Sequence, residues 1–186
     1  MNETIKAINS RYSCKDFTDK LPPKEDIETI AKAAATSPSA MNKQPWQIIV
    51  ITDKAVIKEI EAATLDKMSK IPPMAGLYNK VMAGGGNLLN NAPCMIVLSI
   101  DKENDFAKYD CGIASQTICI AAQSLGIASH IVATPDMAFD GEGSDALKEK
   151  LGFAEGYGFG LAVLLGYEAS AGTAKQIDPE KITYIQ

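Results

Sequence analysis

The sequence predicts an α+β (mixed α/β) fold, organised as one domain over residues 1–186. Three observations carry this. Segments with helical spacing of apolar residues alternate with short, wholly apolar runs, the pattern of helices laid on a central sheet. The chain has 186 residues, of which 46% are hydrophobic and 22% charged, enough for a sizeable core. No internal repeat, charge run or low-complexity linker divides it.

The elements follow in order. Asn2 to Ser10 reads as a short helix with Ile5 and Ile8 turned inward. A second helix runs from about Pro23 to Thr36. Pro23 suits a first turn, Glu25 and Asp26 favour the positive helix start, and Ile27, Ile30, Ala31 and Ala34 form one stripe. Pro38 stops it. "QIIVIT", Gln47 to Thr52, is expected to be a buried strand. Asp53 then caps a helix to about Ser69, with Ile57, Ile60, Leu65 and Met68 apolar. "IPPMAG" breaks that helix, and Tyr78 to Asn90 is expected to form the next. The "GGG" at Gly84–Gly86 weakens it. Further strands are expected at "CMIVLSI" (Cys94 to Ile100), "HIVAT" and "GFGLAVLLGY", with helices over Lys108 to Leu125 and Ala146 to Leu151. The tail from Lys175 to Gln186 reads as extended.

Several function classes are disfavoured. The net charge of −5 argues against a nucleic-acid binder, which would show a basic face. The N-terminus has no long apolar run, so no signal peptide is read there. Cys111 to Pro135 lacks Asp, Glu, Lys and Arg, long enough to span a bilayer. Its Ser, Gln and His side chains and Gly126 fit a buried helix followed by a buried strand better. The four cysteines form no C-x-x-C pair and stand beside a single histidine, so no zinc site is expected. Reduced thiols in a cytoplasm are the default, and no activated Cys–His pair is marked. The helix ending near Leu125 is rich in Gly, Ala, Ser and Cys and has no charged face. Such a helix must be covered all round, which in a domain this small calls for a partner subunit.

Two glycine clusters are set aside. "GYGFGL" is followed by an apolar strand where a dinucleotide fingerprint needs a helix, and close backbone approach is its expected role. "AGGGNLL" lacks the Lys-Ser/Thr of a P-loop.

"SRYSCKDF" reads either as a solvated basic turn or as a phosphate clamp, in which Arg11 supplies a forked contact, Ser13 a hydroxyl and Lys15 charge. "SPSAMNKQPW", Ser37 to Trp46, is unusually rich in small, amide-bearing and turn-forming residues for a helix–strand junction. Together with "NNAPCMIV" and "LAVLLGY", these motifs resemble the nitroreductase family of FMN-dependent oxidoreductases, from about Thr4 to Gln186.

The resemblance implies a three-layer α-β-α sandwich with a mixed sheet, built as an intertwined homodimer whose FMN sites draw on both subunits. By matching positions, Arg11 would bind the FMN phosphate, and Tyr12 and Ser13 would sit at the phosphate and ribityl chain. Lys15 would lie against the pyrimidine edge as an electrostatic stabiliser; no side chain is an obvious acid–base catalyst, and no metal is implied. Pro38, Ser39, Ala40, Asn42 and Gln44 would come from the other subunit. Ile131, Val132 and Ala133 map to the segment beside the ring, although the chain departs there from the family pattern. Lys175 stands where many relatives place an Arg for the phosphate. Trp46 is expected to anchor a strand in the core, and His130 to be a buried, hydrogen-bonded imidazole without an assigned role. The implied activity is electron transfer from NAD(P)H through FMN to nitroaromatics, quinones or related small electron-poor acceptors. A flavin-binding sensor, store or flavin-transforming protein is the alternative.

Overall fold

The computed structural model describes residues 1–186. Asn2 opens the first helix, α1 (Glu3–Ser10), its Oδ1 accepting the Ile5 N–H at 3.0 Å. Pro23 precedes α2 (Lys24–Ala35), with Glu25 and Asp26 in the first turn. Asp53 caps α3 (Lys54–Ser69) through Ala55 N–H at 2.8 Å. The expected starts of these helices therefore hold. The next helix, α4 (Ala75–Ala83), is shorter and earlier than the expected Tyr78–Asn90. The chain leaves it at Gly84, and Gly85 and Gly86 take φ of 89° and 76°, which ends helical geometry. The long helix α5 (Ala107–Ser124) and the short α6 (Asp145–Lys150) fall where expected.

Four strands, β1 (Trp46–Ile51), β2 (Cys94–Asp101), β3 (Ala128–Val132) and β4 (Tyr157–Gly166), form one sheet in the order β1-β2-β4-β3. All its pairings are antiparallel. The parallel component of the implied mixed sheet is reduced to an isolated Ser13–Ser129 bridge. β3 starts two residues before "HIVAT" and stops at Val132, because Pro135 belongs to the 3-10 turn Thr134–Phe139.

The alternation along the central strands fixes the layers. Met95 and Val97 of β2 join Ala162 and Leu164 of β4 on one face, packed with Ile57 and Ile60 of α3. Cys94, Ile96, Leu98, Val163 and Leu165 point to the other, against Ile27, Ile30 and Ala34 of α2 and Ala114, Ile118 and Ala122 of α5. Both faces are covered, so β2 reads as a continuous apolar run. Trp46 packs against the second core from its edge. The expectation that β1 is buried fails: it is an edge strand paired only with β2, and Val50 is 40% exposed.

Gly160 is the extra residue at the register shift between Leu98/Ser99 and β4. A Cβ there would stand 2.8 Å from Cys111 Sγ and Ile100 Cγ2 and 2.9 Å from the Leu98 carbonyl oxygen. Of the "GYGFGL" glycines, Gly160 thus serves close strand–helix approach. Gly160→Ala is expected to lower unfolding stability by about 1–3 kcal/mol, read from the urea midpoint at constant m-value.

One expectation about burial is corrected. Ile5 and Ile8 are 45% and 39% exposed, because α1 packs its Ala7 side onto the body and turns the isoleucines outward. Within one chain α5 leaves Tyr109 and Ile113 open, so the all-round cover expected of it is not supplied by this chain alone. Cys111 to Pro135 divides at Gly126 into α5 and β3, and no helix is long and apolar enough to cross a membrane.

Candidate functional site

After α1 the chain turns along β3. The Cys14 N–H donates to the Ser129 carbonyl and the Phe17 N–H to the Asn90 carbonyl, both at 3.0 Å. Cys14 and Phe17 enter the core. Period-two alternation leaves Ser13 and Lys15 on the other side.

Arg11, Tyr12, Ser13, Lys15 and Lys175 line a cavity of about 450 Å³, closed by Ser170–Thr173. Arg11 Nη2 lies 3.5 Å from Ser13 Oγ, while Arg11 Nε and the Tyr12 hydroxyl are buried without any hydrogen-bond partner. Buried polar atoms without partners are costly, so these two are poised for a ligand. Gly172 packs against the Tyr12 ring so closely that any Cβ would overlap it.

A second cavity of about 570 Å³ is lined by Lys80, Asn90, His130, Ile131, Val132 and Ala133, among others. Lys15 borders both. No carboxylate lines either, so Arg11, Lys15, Lys80 and Lys175 make a local cationic cleft in an acidic chain. It suits an elongated anion with its charge at the Arg11 end and an apolar, flat body at the Ile131–Ala133 end.

The Ser37–Trp46 junction is not part of this cleft. Pro38, Ser39, Ala40, Asn42 and Gln44 line neither cavity of their own chain. The junction is instead an outward, self-braced loop. Ser39 Oγ accepts the Gln44 N–H at 2.9 Å, and Gln44 Nε2 donates to Asn42 Oδ1 at 3.1 Å. Met41, Asn42 and Gln44 hold φ of 52°, 52° and 46°, a left-handed conformation costly for non-glycine residues. Asp110 of α5 fixes it, accepting the Ala40 N–H at 3.2 Å on each carboxylate oxygen from a site only 4% exposed. Ser37 Oγ donates to Thr117 at 2.9 Å. Holding strained backbone open to solvent needs such anchors.

His130 joins the cleft without having been assigned a role. Its Nε2 lies 2.6 Å from Lys15 Nζ and its Nδ1 2.9 Å from Asn90 Nδ2. Burial, then the positive charges of Lys15 and Arg11, push its pKa down to about 4. Burial also lowers Lys15. An imidazole depressed in the folded state resists a proton that the unfolded chain accepts. Its contribution to stability is therefore present above about pH 6.5 and is lost as pH falls towards 4. The melting temperature should fall across that window, and His130→Gln should flatten the decline. Asp110, Asn90 and Gly172 carried no legible signal, because each acts through a contact distant in sequence.

The cysteines do not furnish a nucleophile. All four are buried free thiols, and burial raises each, Cys94 to about 12 and Cys111 to about 11. No group of three or more His, Cys, Asp or Glu side chains is placed to hold a metal.

The family model described as "Nitroreductase family" matches residues 8–167. A provisionally named NADH dehydrogenase/NAD(P)H nitroreductase of Archaeoglobus fulgidus is 34% identical over 173 residues, covering 90% of this chain and 86% of that protein. A crystal structure of a nitroreductase with bound FMN from Desulfitobacterium hafniense matches with a TM-score of 0.94 and 42% identity, covering 100% of both chains. Another, with bound FMN from Bacteroides fragilis, matches with a TM-score of 0.88 at 24% identity over 100% of both chains, a likeness of fold. The chain belongs to the nitroreductase family.

Proposed function

We propose that residues 1–186 form one FMN-binding domain that acts as an oxidoreductase, taking electrons from NAD(P)H and passing them to nitroaromatics, quinones or related small electron-poor acceptors. The observation that carries this reading is the carboxylate-free cleft in which Arg11 Nε and the Tyr12 hydroxyl lack partners, joined through Lys15 to a second cavity. These residues fit FMN. Arg11, with Ser13, Tyr12 and Lys175, would hold the phosphate and the adjoining chain. Ile131, Val132 and Ala133 would flank the ring, and Lys15 would stand at its pyrimidine edge.

Bound FMN would supply the redox chemistry, accepting reducing equivalents from a nicotinamide and returning them to the acceptor. Lys15 would offer an ammonium, already in place in a partly dry cleft, to negative charge at the pyrimidine edge. Steady-state NAD(P)H oxidation with a nitroaromatic or a quinone tests the reading. Turnover that depends on the acceptor supports it. Bound flavin without turnover would favour the sensor or storage alternative.

The working unit is a homodimer in this reading, with Pro38, Ser39, Ala40, Asn42 and Gln44 of each copy serving the other's cleft. Their outward placement, away from their own chain's cavities, supports it. So do Ile5, Ile8, Tyr109 and Ile113 and the tail residues Ile182, Tyr184 and Ile185, all open in a single chain. Tyr109→Glu combined with Ile113→Glu should shift the mass in analytical ultracentrifugation from two chains to one and reduce FMN retention; a monomeric parent protein would contradict the dimer. The four free thiols suit a reducing, cytoplasmic setting.

A further inference from the structure

His130 is the only histidine of the chain, and the reading above gives it no part. It sits on β3 between Ser129, whose carbonyl holds the Cys14 N–H, and Ile131, which lines the second cavity. Its ring is held at both nitrogens, by Lys15 at 2.6 Å and by Asn90 at 2.9 Å. The three residues come from separate places: the segment after α1, the turn before β2, and β3.

Elementary hydrogen-bond accounting gives this trio a definite arrangement. A neutral imidazole has one donor and one acceptor nitrogen, whereas an ammonium offers only donors. Lys15 therefore donates to Nε2, the proton resides on Nδ1, and the Asn90 amide, by a half-turn of its terminal group, meets that N–H with Oδ1. Charging the ring would add a positive group to a cleft that already holds Arg11, Lys15 and Lys80. No Asp or Glu lines either cavity to offset it. The imidazole is thus held as a neutral acceptor.

We infer that His130, backed by Asn90, is the positioning residue for Lys15, fixing its ammonium at the seam between the two cavities. A lysine has a long, flexible stem and loses rotamer freedom when held. Positive charge stabilises a charged state best when its direction is set in advance. The purpose of the positioning rests on the proposed function, but the hydrogen bond itself does not.

Two measurements test it. In 15N-labelled protein the sole histidine gives unambiguous ring signals. The expected spectrum shows a single Nδ1–H tautomer that stays neutral between about pH 5 and 8. In Lys15→Met the Nε2–H tautomer should gain population, since Asn90 Nδ2 can then donate to Nδ1. A wild-type ring titrating near its ordinary 6.5, or a tautomer unchanged by Lys15→Met, overturns the inference. The second measurement is the midpoint potential of bound FMN. His130→Gln, whose amide oxygen still accepts from Lys15, should keep the wild-type value, and His130→Leu should move it to a more negative one. Equal potentials in both variants and wild type would also overturn the inference. If no form binds FMN, the proposed function fails while the nitrogen spectra still decide the role of His130.

Discussion

Arg11→Ala is expected to emerge from purification essentially colourless, with FMN affinity weakened by a factor on the order of a hundred or more. Arg11 is the one forked cation at the charged end of the cleft, and its Nε is buried with no protein partner. Hydrogen bonds to charged groups contribute about 1.5–3 kcal/mol each. Losing roughly 3 kcal/mol raises Kd by about two powers of ten. Lys175 lies in the same lining and can recover only part of this, because a point charge lacks the fork. Arg11 forms no ion pair with a carboxylate of its own chain, so its removal strands no charge. The variant should therefore fold, with the melting temperature of the wild-type apoprotein. Fluorescence titration with FMN reads the affinity. A full visible flavin band in the purified variant would show that Arg11 does not hold the phosphate.

Lys15→Ala is expected to retain part of its FMN but to be reduced by NAD(P)H roughly a hundred times more slowly. A preorganised donor at a developing charge is worth about 3 kcal/mol, and each 1.36 kcal/mol is tenfold in rate. Lys15 is the only side chain that borders both cavities, so its loss acts on the reacting end as well as on binding. Lys15→Arg should not restore the rate, since a planar guanidinium cannot reproduce the compact ammonium held at 2.6 Å by His130. Stopped-flow bleaching at saturating FMN separates the rate from occupancy. An unchanged bleaching rate in Lys15→Ala would remove Lys15 from the reaction.

Much of the architecture could be read from local physics. The cap at Asp53, the proline before α2 and the chargeless stretch of α5 each act within a few residues, and each element lies where they put it. Arg11, Tyr12, Ser13 and Lys15 are close in sequence and come together in space, while Lys175 joins them from the tail. Burial was harder to read. The apolar run of β1 matches that of a central strand, and only the strand order reveals it as an edge. Ile5 and Ile8 have core-like spacing, but spacing does not say whether the covering surface belongs to the same chain. The Ser37–Trp46 junction was legible as unusual, whereas its bracing by Asp110 depends on a contact across 70 residues. His130 is hydrogen-bonded as expected and only partly buried, but its partner was illegible for the same reason, since Lys15 lies 115 positions away.

Whether the cleft running from Arg11 to Ala133 is a flavin site is decided by an anaerobic absorbance titration of the purified wild-type protein. The expected result is a flavin spectrum with one FMN per chain, bleached by NAD(P)H and restored by a nitroaromatic or quinone. A folded protein that carries no flavin and takes none up from added FMN would contradict it.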